Sequence, residues 1–209
     1  MPCDDLVRRA FAYGSGGKEY IDLQAYSAVV LVGMEFRFDH LIYAYMELRT
    51  DQHHNPHKLS EGELVLVSHA VFEEAILGRL RAQPFFQILE RVRDAVPVVW
   101  GIPQPRASDK IFDPQYANDD RAASWRAAAE YGDDAALSAT FDRLVGRLAE
   151  PPGFQILQQP RATLAGGFFT DRRHSEDPSN QDYYHMNGDY GALVIAELFP
   201  RLASSLGRR

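Results

Sequence analysis

The sequence is poor in cysteine, in clustered basic residues and in long apolar runs. Cys3 is the only cysteine among the 209 residues, which excludes an intramolecular disulfide and a cysteine-based structural zinc site. The formal net charge is −7, and acidic and basic residues are interleaved. Because nucleic-acid binding needs a concentrated basic face, this pattern argues against a nucleic-acid partner.

Apolar runs such as residues 28–33 are far shorter than a bilayer requires, so we expect no membrane partner. The N-terminal stretch also lacks an apolar core of signal-peptide length. On these two grounds we expect a cytoplasmic protein.

The remaining composition is that of an ordinary globular protein, with 45% hydrophobic and 24% charged residues. Its length suits one α/β domain over residues 1–209. Short apolar runs predict strands at residues 28–33, 96–103 and 153–157. Helical spacing of apolar residues predicts helices at residues 38–49, 85–95 and 191–202. Helices are also predicted at residues 4–12, 119–131 and 134–148, each of which begins with an aspartate that suits a cap or the positive end of a helix dipole. Alternating strands and helices predict a mostly parallel sheet covered by helices on both faces.

Two stretches are less regular. Residues 63–67 fit either a short strand or the first turns of a helix that runs to residue 77, and we favour the helix. Residues 158–181 predict a long loop. Since parallel sheets bind ligands beyond the carboxyl ends of their strands, we expect any site near the loops that follow Gly33, Pro103 and Leu157.

The residues most indicative of chemistry are Asp182 and His185, which are separated by two residues and lie just before the last predicted helix. A histidine works best as a general base when a carboxylate holds one ring nitrogen and the other faces the reacting hydroxyl. A single turn can deliver both groups of such a pair. Taken alone, the pattern is weak, and a capping aspartate beside a loop histidine is the more common interpretation.

In this context the chain resembles the SGNH, or GDSL-type, hydrolase family, whose members typically end with an Asp-x-x-His block and a last helix. Four positions match the pattern: Asp182, His185, Asn187 and Gly191. Residues 29–33 and 96–103 are similar, more loosely, to two strands of that family. The resemblance covers about residues 20–203. It implies a three-layer α/β/α fold with a mostly parallel, flavodoxin-like central sheet, and an ester-cleaving site in which Asp182 orients His185.

The chain departs from the family pattern in two places. The first block, a strand followed by a Gly-Asp-Ser or Gly-Asn-Ser turn, has no counterpart, so we expect the N-terminal strand unit to be missing. Either the true start lies upstream of Met1, or the gene has lost this unit. Glu35 stands where the family usually has an asparagine that donates to the oxyanion, and a carboxylate accepts instead. Ser15 and Ser68 are alternative candidates for the nucleophile. The plainer interpretation places Ser15 in a flexible loop and Ser68 in the interior of a helix.

A competing site is the polar segment that holds Asp51, His53, His54 and His57. Imidazole and carboxylate are common zinc ligands. Adjacent histidines point in different directions, however, and Pro56 marks a loop, so we favour a solvated polar loop and expect no metal or cofactor.

Other side chains near the predicted loop edge have two interpretations each. Arg106 and Arg161 are candidates for binding an anionic substrate, and His174 either lines the pocket or is exposed. A group of aromatic residues forms either a pocket wall or packing against the sheet: Trp100, Phe168, Phe169, Tyr183 and Tyr184.

Two functions follow. The first is an SGNH-type hydrolase with His185 as general base and acid. Its substrate would be an ester of a small acyl group, such as an O-acetyl group on a carbohydrate. The second is a catalytically degenerate relative that binds a carbohydrate or a protein partner. A sheet that lacks its first strand exposes an edge, and a homodimer is one way to cover it.

Overall fold

The structure is a computed structural model that describes residue 17 and residues 21–34, 37–54, 65–149, 154–176 and 182–207. The helices in these ranges are α1 (Asp39–Glu47), α2 (His69–Arg81), α3 (Pro84–Ala95), α4 (Asp120–Glu130), α5 (Asp134–Leu148) and α6 (Gly188–Gly207). The strands are β1 (Val29–Met34), β2 (Leu48–Arg49), β3 (Val65–Leu66), β4 (Val99–Pro103), β5 (Phe154–Ile156), β6 (Leu164–Ala165) and β7 (Phe169–Thr170). The helix predicted at residues 4–12 lies outside the described residues.

The main sheet has the strand order β1-β4-β5, and both pairings are parallel. Val99, in the central strand, lies opposite Val29 on one side and Phe154 on the other. This confirms the prediction of an α/β protein with a mostly parallel sheet. Because all three strands run the same way, the loops after them leave from one edge, which we call the carboxyl edge.

The central strand β4 is buried along its whole length, as a strand covered on both faces must be. Its side chains alternate between two apolar clusters. Trp100 and Ile102 pack with Val194 and Leu198 of α6. Val99 belongs to the larger cluster, to which α1, α2, α4 and α5 contribute.

The prediction of a helix through residues 63–67 is wrong where the structure describes it. Residues 65 and 66 form β3, which pairs in parallel with β2. Helix α2 begins only at His69, and the Ser68 hydroxyl accepts a hydrogen bond from the Val71 amide at 3.3 Å. Ser68 is therefore the N-cap of α2 and not part of a helix interior, in keeping with the preference of serine for that position.

The stretch predicted as a long loop contains regular structure. Strands β6 and β7 pair antiparallel, with Ala165 opposite Phe169. Gly166 and Gly167 in the turn have φ values of +61° and +79°, which glycine adopts without strain. The terminal helix is also longer than predicted, extending at both ends. None of the helices in the described ranges has the length and apolar character needed to span a bilayer.

Candidate active site at the carboxyl edge of the sheet

Residues 182–185 are attached to the loops that follow β1 and β4. The Ser108 amide donates to the Tyr183 carbonyl at 2.8 Å, and Lys110 Nζ donates to the Asp182 carbonyl at 3.3 Å. On the other side, the Tyr184 hydroxyl donates to Asp39 Oδ1 at 2.6 Å. Asp39 and Ser108 each follow a parallel strand by five residues. The segment therefore lies over the carboxyl edge, where the strand pattern predicts a site.

Within this segment Asp182 and His185 form a local pair. Asp182 Oδ1 accepts the Tyr184 amide at 2.7 Å and the His185 amide at 3.0 Å. Asp182 Oδ2 is hydrogen-bonded to His185 Nδ1. One carboxylate thus builds the turn with one oxygen and holds the imidazole with the other. The His185 side chain is 73% exposed, so its ring is accessible to a ligand.

The pair is electrostatically coupled. The hydrogen bond from Asp182 and the charge of that carboxylate raise the pKa of His185 above its usual 6.5. For Asp182, burial opposes ionisation, but the hydrogen bonds from Tyr184 and His185 outweigh it, so the pKa of Asp182 is lowered. Asp182 therefore remains a carboxylate when His185 titrates.

A buried hydrogen-bond group supports the segment from below. Asp39, at the start of α1, is 4% exposed and accepts from Trp125 Nε1 at 2.8 Å as well as from Tyr184. Burial and the Asp39 carboxylate raise the pKa of Tyr184, so its hydroxyl stays a donor. Nothing local in the sequence links these residues, because Asp39 and Tyr184 are 145 positions apart.

Asn187 and His174 secure the other end of the segment. The Asn187 amide donates to the His174 carbonyl at 2.8 Å, and Asn187 Oδ1 accepts the Tyr190 amide at 3.1 Å in the first turn of α6. Asn187 therefore caps the terminal helix. His174 is 6% exposed, so it is buried and not solvent-exposed.

Among the described residues, no serine hydroxyl is hydrogen-bonded to His185. Ser108 and Ser175 lie beneath the segment, but both are buried and hydrogen-bond each other at 3.1 Å. Ser68 lies near the C-terminal end of α1, because the amide of the preceding residue, Val67, donates to the Arg49 carbonyl just beyond that end. Tyr184 contacts Asp39 at the N-terminal end of the same helix. The nine residues of α1 place these two ends about 13 Å apart. Ser15 and Glu35 lie outside the described residues.

The two described histidines of the polar loop have different environments. His53 is buried, with its ring 5.1 Å from that of Tyr45 and 4.8 Å from that of Phe72. The His54 side chain is 76% exposed, and its Nδ1 pairs with Asp133 at 2.8 Å. In the described part of the chain, no group of three or more metal-ligating side chains converges, and His57 lies outside it. The pairing with Asp133, 79 positions away, gave no signal in the sequence.

The aromatic residues act mainly as packing. Tyr183 is buried and donates its hydroxyl to Asp119 Oδ2 at 3.1 Å. Beside it, Tyr184 and Asp182 line an open depression of about 690 Å³ with Asp119 and Arg121. The other aromatic residues of the predicted pocket wall lie in the two apolar clusters: Trp100, Phe168 and Phe169.

Arg106 and Arg161 line a separate cavity near the ends of β4 and β5. Arg106 is buried, and burial lowers the pKa of its guanidinium to about 10 even though Asp142 lies at 3.2 Å. Arg161 is exposed. Neither Asp182 nor His185 lines this cavity.

Comparisons with protein-family models, with curated proteins and with solved structures find no match for this chain.

Proposed function

We propose that this chain carries the acid–base part of an SGNH-type hydrolase or acyltransferase site with the three-layer fold of that family. The observation that supports it is the pair at the carboxyl edge, in which Asp182 holds Nδ1 of an exposed His185. The proposed substrate is a small ester or an acylated carbohydrate. The open depression beside Asp182 offers room for it.

In the proposed reaction, His185 Nε2 accepts the proton of a hydroxyl nucleophile as the hydroxyl oxygen attacks the ester carbonyl. The imidazolium then donates this proton to the departing alkoxide, and water repeats the sequence to release the acid. Asp182 stays ionised and stabilises the imidazolium. We propose that the nucleophile is a serine outside the described residues, such as Ser15.

The experiment measures hydrolysis of p-nitrophenyl acetate by the wild type and by His185→Ala. We expect the substitution to lower kcat/KM by about 100- to 10,000-fold, the usual contribution of a general base. His54→Ala is a matched control, because His54 is also exposed and also paired with an aspartate. Equal rates for the wild type and His185→Ala contradict the proposal.

A second candidate is a catalytically degenerate domain that binds a carbohydrate or a protein partner at the same edge. It is favoured by one observation, that no described serine is hydrogen-bonded to His185. A serine-directed fluorophosphonate probe separates the two functions. Stoichiometric labelling of the wild type, lost on prior heat denaturation, supports the hydrolase, whereas a folded chain that does not react supports the degenerate domain.

A further inference from the structure

The cavity near the ends of β4 and β5 has a volume of about 410 Å³, within the range of small-molecule sites. Gln104 follows β4, Gln158 and Arg161 follow β5, and Asp142 of α5 closes one side. Gly166 and Gly167 of the β6–β7 turn form part of the rim. Polar side chains thus enter one cavity from several separate elements.

Arg106 lines this cavity and is hydrogen-bonded to neighbouring wall residues. Its Nη1 donates to Ser138 Oγ at 2.6 Å and to the Gly167 carbonyl at 2.8 Å, and its Nη2 donates to Asp142 Oδ1 at 3.2 Å. The guanidinium also stacks 4.5 Å above the Phe38 ring. Arg106 therefore links the residues that form the cavity wall, and its charge is balanced by Asp142.

Arg161 differs in that its guanidinium makes no hydrogen bond or ion pair with the other described residues. The Gln104 amide is likewise uncommitted within the described chain. Gln158 donates its amide nitrogen to the Asp142 carbonyl at 3.3 Å, which leaves its side-chain oxygen as an acceptor. The cavity thus presents one unbalanced positive charge together with neutral donors and acceptors.

We propose that this cavity binds a small polyhydroxy carboxylate, with the carboxylate on Arg161 and the hydroxyls on Gln104 and Gln158. A guanidinium matches a carboxylate with two parallel hydrogen bonds. Amide side chains donate and accept, as hydroxyl recognition requires. Because Arg106 and Asp142 balance each other, Arg161 supplies a single positive charge, which balances a carboxylate but not a dianion such as a phosphate. This site does not depend on the proposed hydrolysis, because neither Asp182 nor His185 lines it.

Calorimetric titration of the full chain with glucuronate tests the site. We expect glucuronate to bind the wild type and to bind Arg161→Gln at least about 10-fold more weakly, since a charge-assisted hydrogen bond contributes that much. Arg201→Gln is the matched control, because Arg201 is a nearby exposed arginine already paired with Glu197 at 3.3 Å. Glucose, which lacks the carboxylate, should bind the wild type as weakly as glucuronate binds Arg161→Gln.

Three outcomes overturn the proposal. Glucuronate does not bind the folded wild type at about 10 mM, roughly ten times the Kd of a ligand that binds at about 1 mM. Arg161→Gln retains wild-type affinity while its circular dichroism is unchanged. Inorganic phosphate binds as tightly as glucuronate, which makes the site a general anion site. Binding retained in His185→Ala separates this result from any failure of the hydrolase proposal.

Discussion

Asp182 performs two tasks that a single substitution can separate. Its Oδ1 accepts two backbone amides, and its Oδ2 holds the imidazole of His185. In Asp182→Asn the side-chain oxygen can still accept the amides, while the negative charge is lost. The variant should therefore keep the turn and change the electrostatics of His185 alone.

We expect Asp182→Asn to lower the pKa of His185 towards 6.5, because the hydrogen bond and charge of Asp182 raise it in the wild type. NMR titration of the His185 ring protons measures this directly. If the wild-type value already lies at or below 6.5, the coupling is absent. Since a general base must be neutral, the acid limb of any pH–rate profile should move to lower pH in the variant.

Asp39 accepts the buried hydrogen bonds that support residues 182–185. Asp39→Ala leaves the Trp125 indole and the Tyr184 hydroxyl without their acceptor, and each buried unpaired donor costs about 1–3 kcal/mol. Urea denaturation should show a loss of this order for each donor. Tyr184→Phe removes one donor together with its need for a partner, so its loss should be smaller. Asp51→Ala, at an exposed position, is the control; a loss for Asp39→Ala no larger than this contradicts the prediction.

At the scale of elements, His53 joins α1 to α2 through ring contacts with Tyr45 and Phe72. Burial lowers the pKa of His53 below 6.5, and although Asp133 opposes this shift, His69, Arg49 and His54 reinforce it. The unfolded chain therefore binds this proton at a higher pH than the folded chain does. The stability that depends on a neutral His53 is fully present above pH 6.5 and is lost as the pH falls below it.

We therefore expect the free energy of unfolding to fall between pH 7 and pH 5 less steeply in His53→Gln than in the wild type. One group changes the slope by at most about 1.4 kcal/mol per pH unit. Urea titrations at pH 5, 6 and 7 measure it. His185→Ala should change the slope in the opposite direction, so that the free energy of unfolding falls more steeply than in the wild type, because the pKa of His185 is raised and not lowered. Parallel curves for wild type and His53→Gln contradict the prediction.

The elements that the sequence predicts well are those with a clear local pattern. Helix α5 was expected at residues 134–148 and forms there, and the three strands of the main sheet lie within or one residue beyond their predicted ranges. The two-residue strand β3 carries no period of its own and is defined only by pairing with β2. The β6–β7 hairpin did have a signal, since two adjacent glycines between apolar residues are typical of a tight turn.

The candidate site likewise has one part that the sequence predicts and another that it does not. Asp182 and His185 belong to one turn, so the sequence alone predicts their pairing. Asp39, Trp125 and Tyr184 come together from three distant parts of the chain. Only the packing of α1 and α4 beneath the segment creates that contact, and no local pattern indicates it.

At the scale of the whole molecule, the main sheet ends at β1 in the described residues. Val30 packs beside the smaller apolar cluster, and Val32, on the same face, is 75% exposed. On α6, Ile195 and Phe199 are 50% and 62% exposed. They lie on the opposite side of that helix from Glu197, which lines a hollow at the end of β5. The Ile195 side of α6 therefore lies away from the β5 end of the sheet, and β1 and α6 each expose apolar side chains.

We expect a second copy of this chain to cover these exposed apolar side chains, by antiparallel pairing of two β1 strands about a two-fold axis. The residues of β1 are Val-Val-Leu-Val-Gly-Met, without the charges or proline that protect an edge strand. Two-fold pairing would bring both copies of Val32 and Phe199 to one interface.

Sedimentation velocity should show a concentration-dependent dimer for the wild type and a monomer for Phe199→Glu. Val71→Glu, at an apolar residue of α2 that is 53% exposed, should stay dimeric. A wild type that is monomeric at every concentration, or a Phe199→Glu variant that dimerises as the wild type does, excludes this interface, because the substitution places a charge in the middle of the proposed apolar contact.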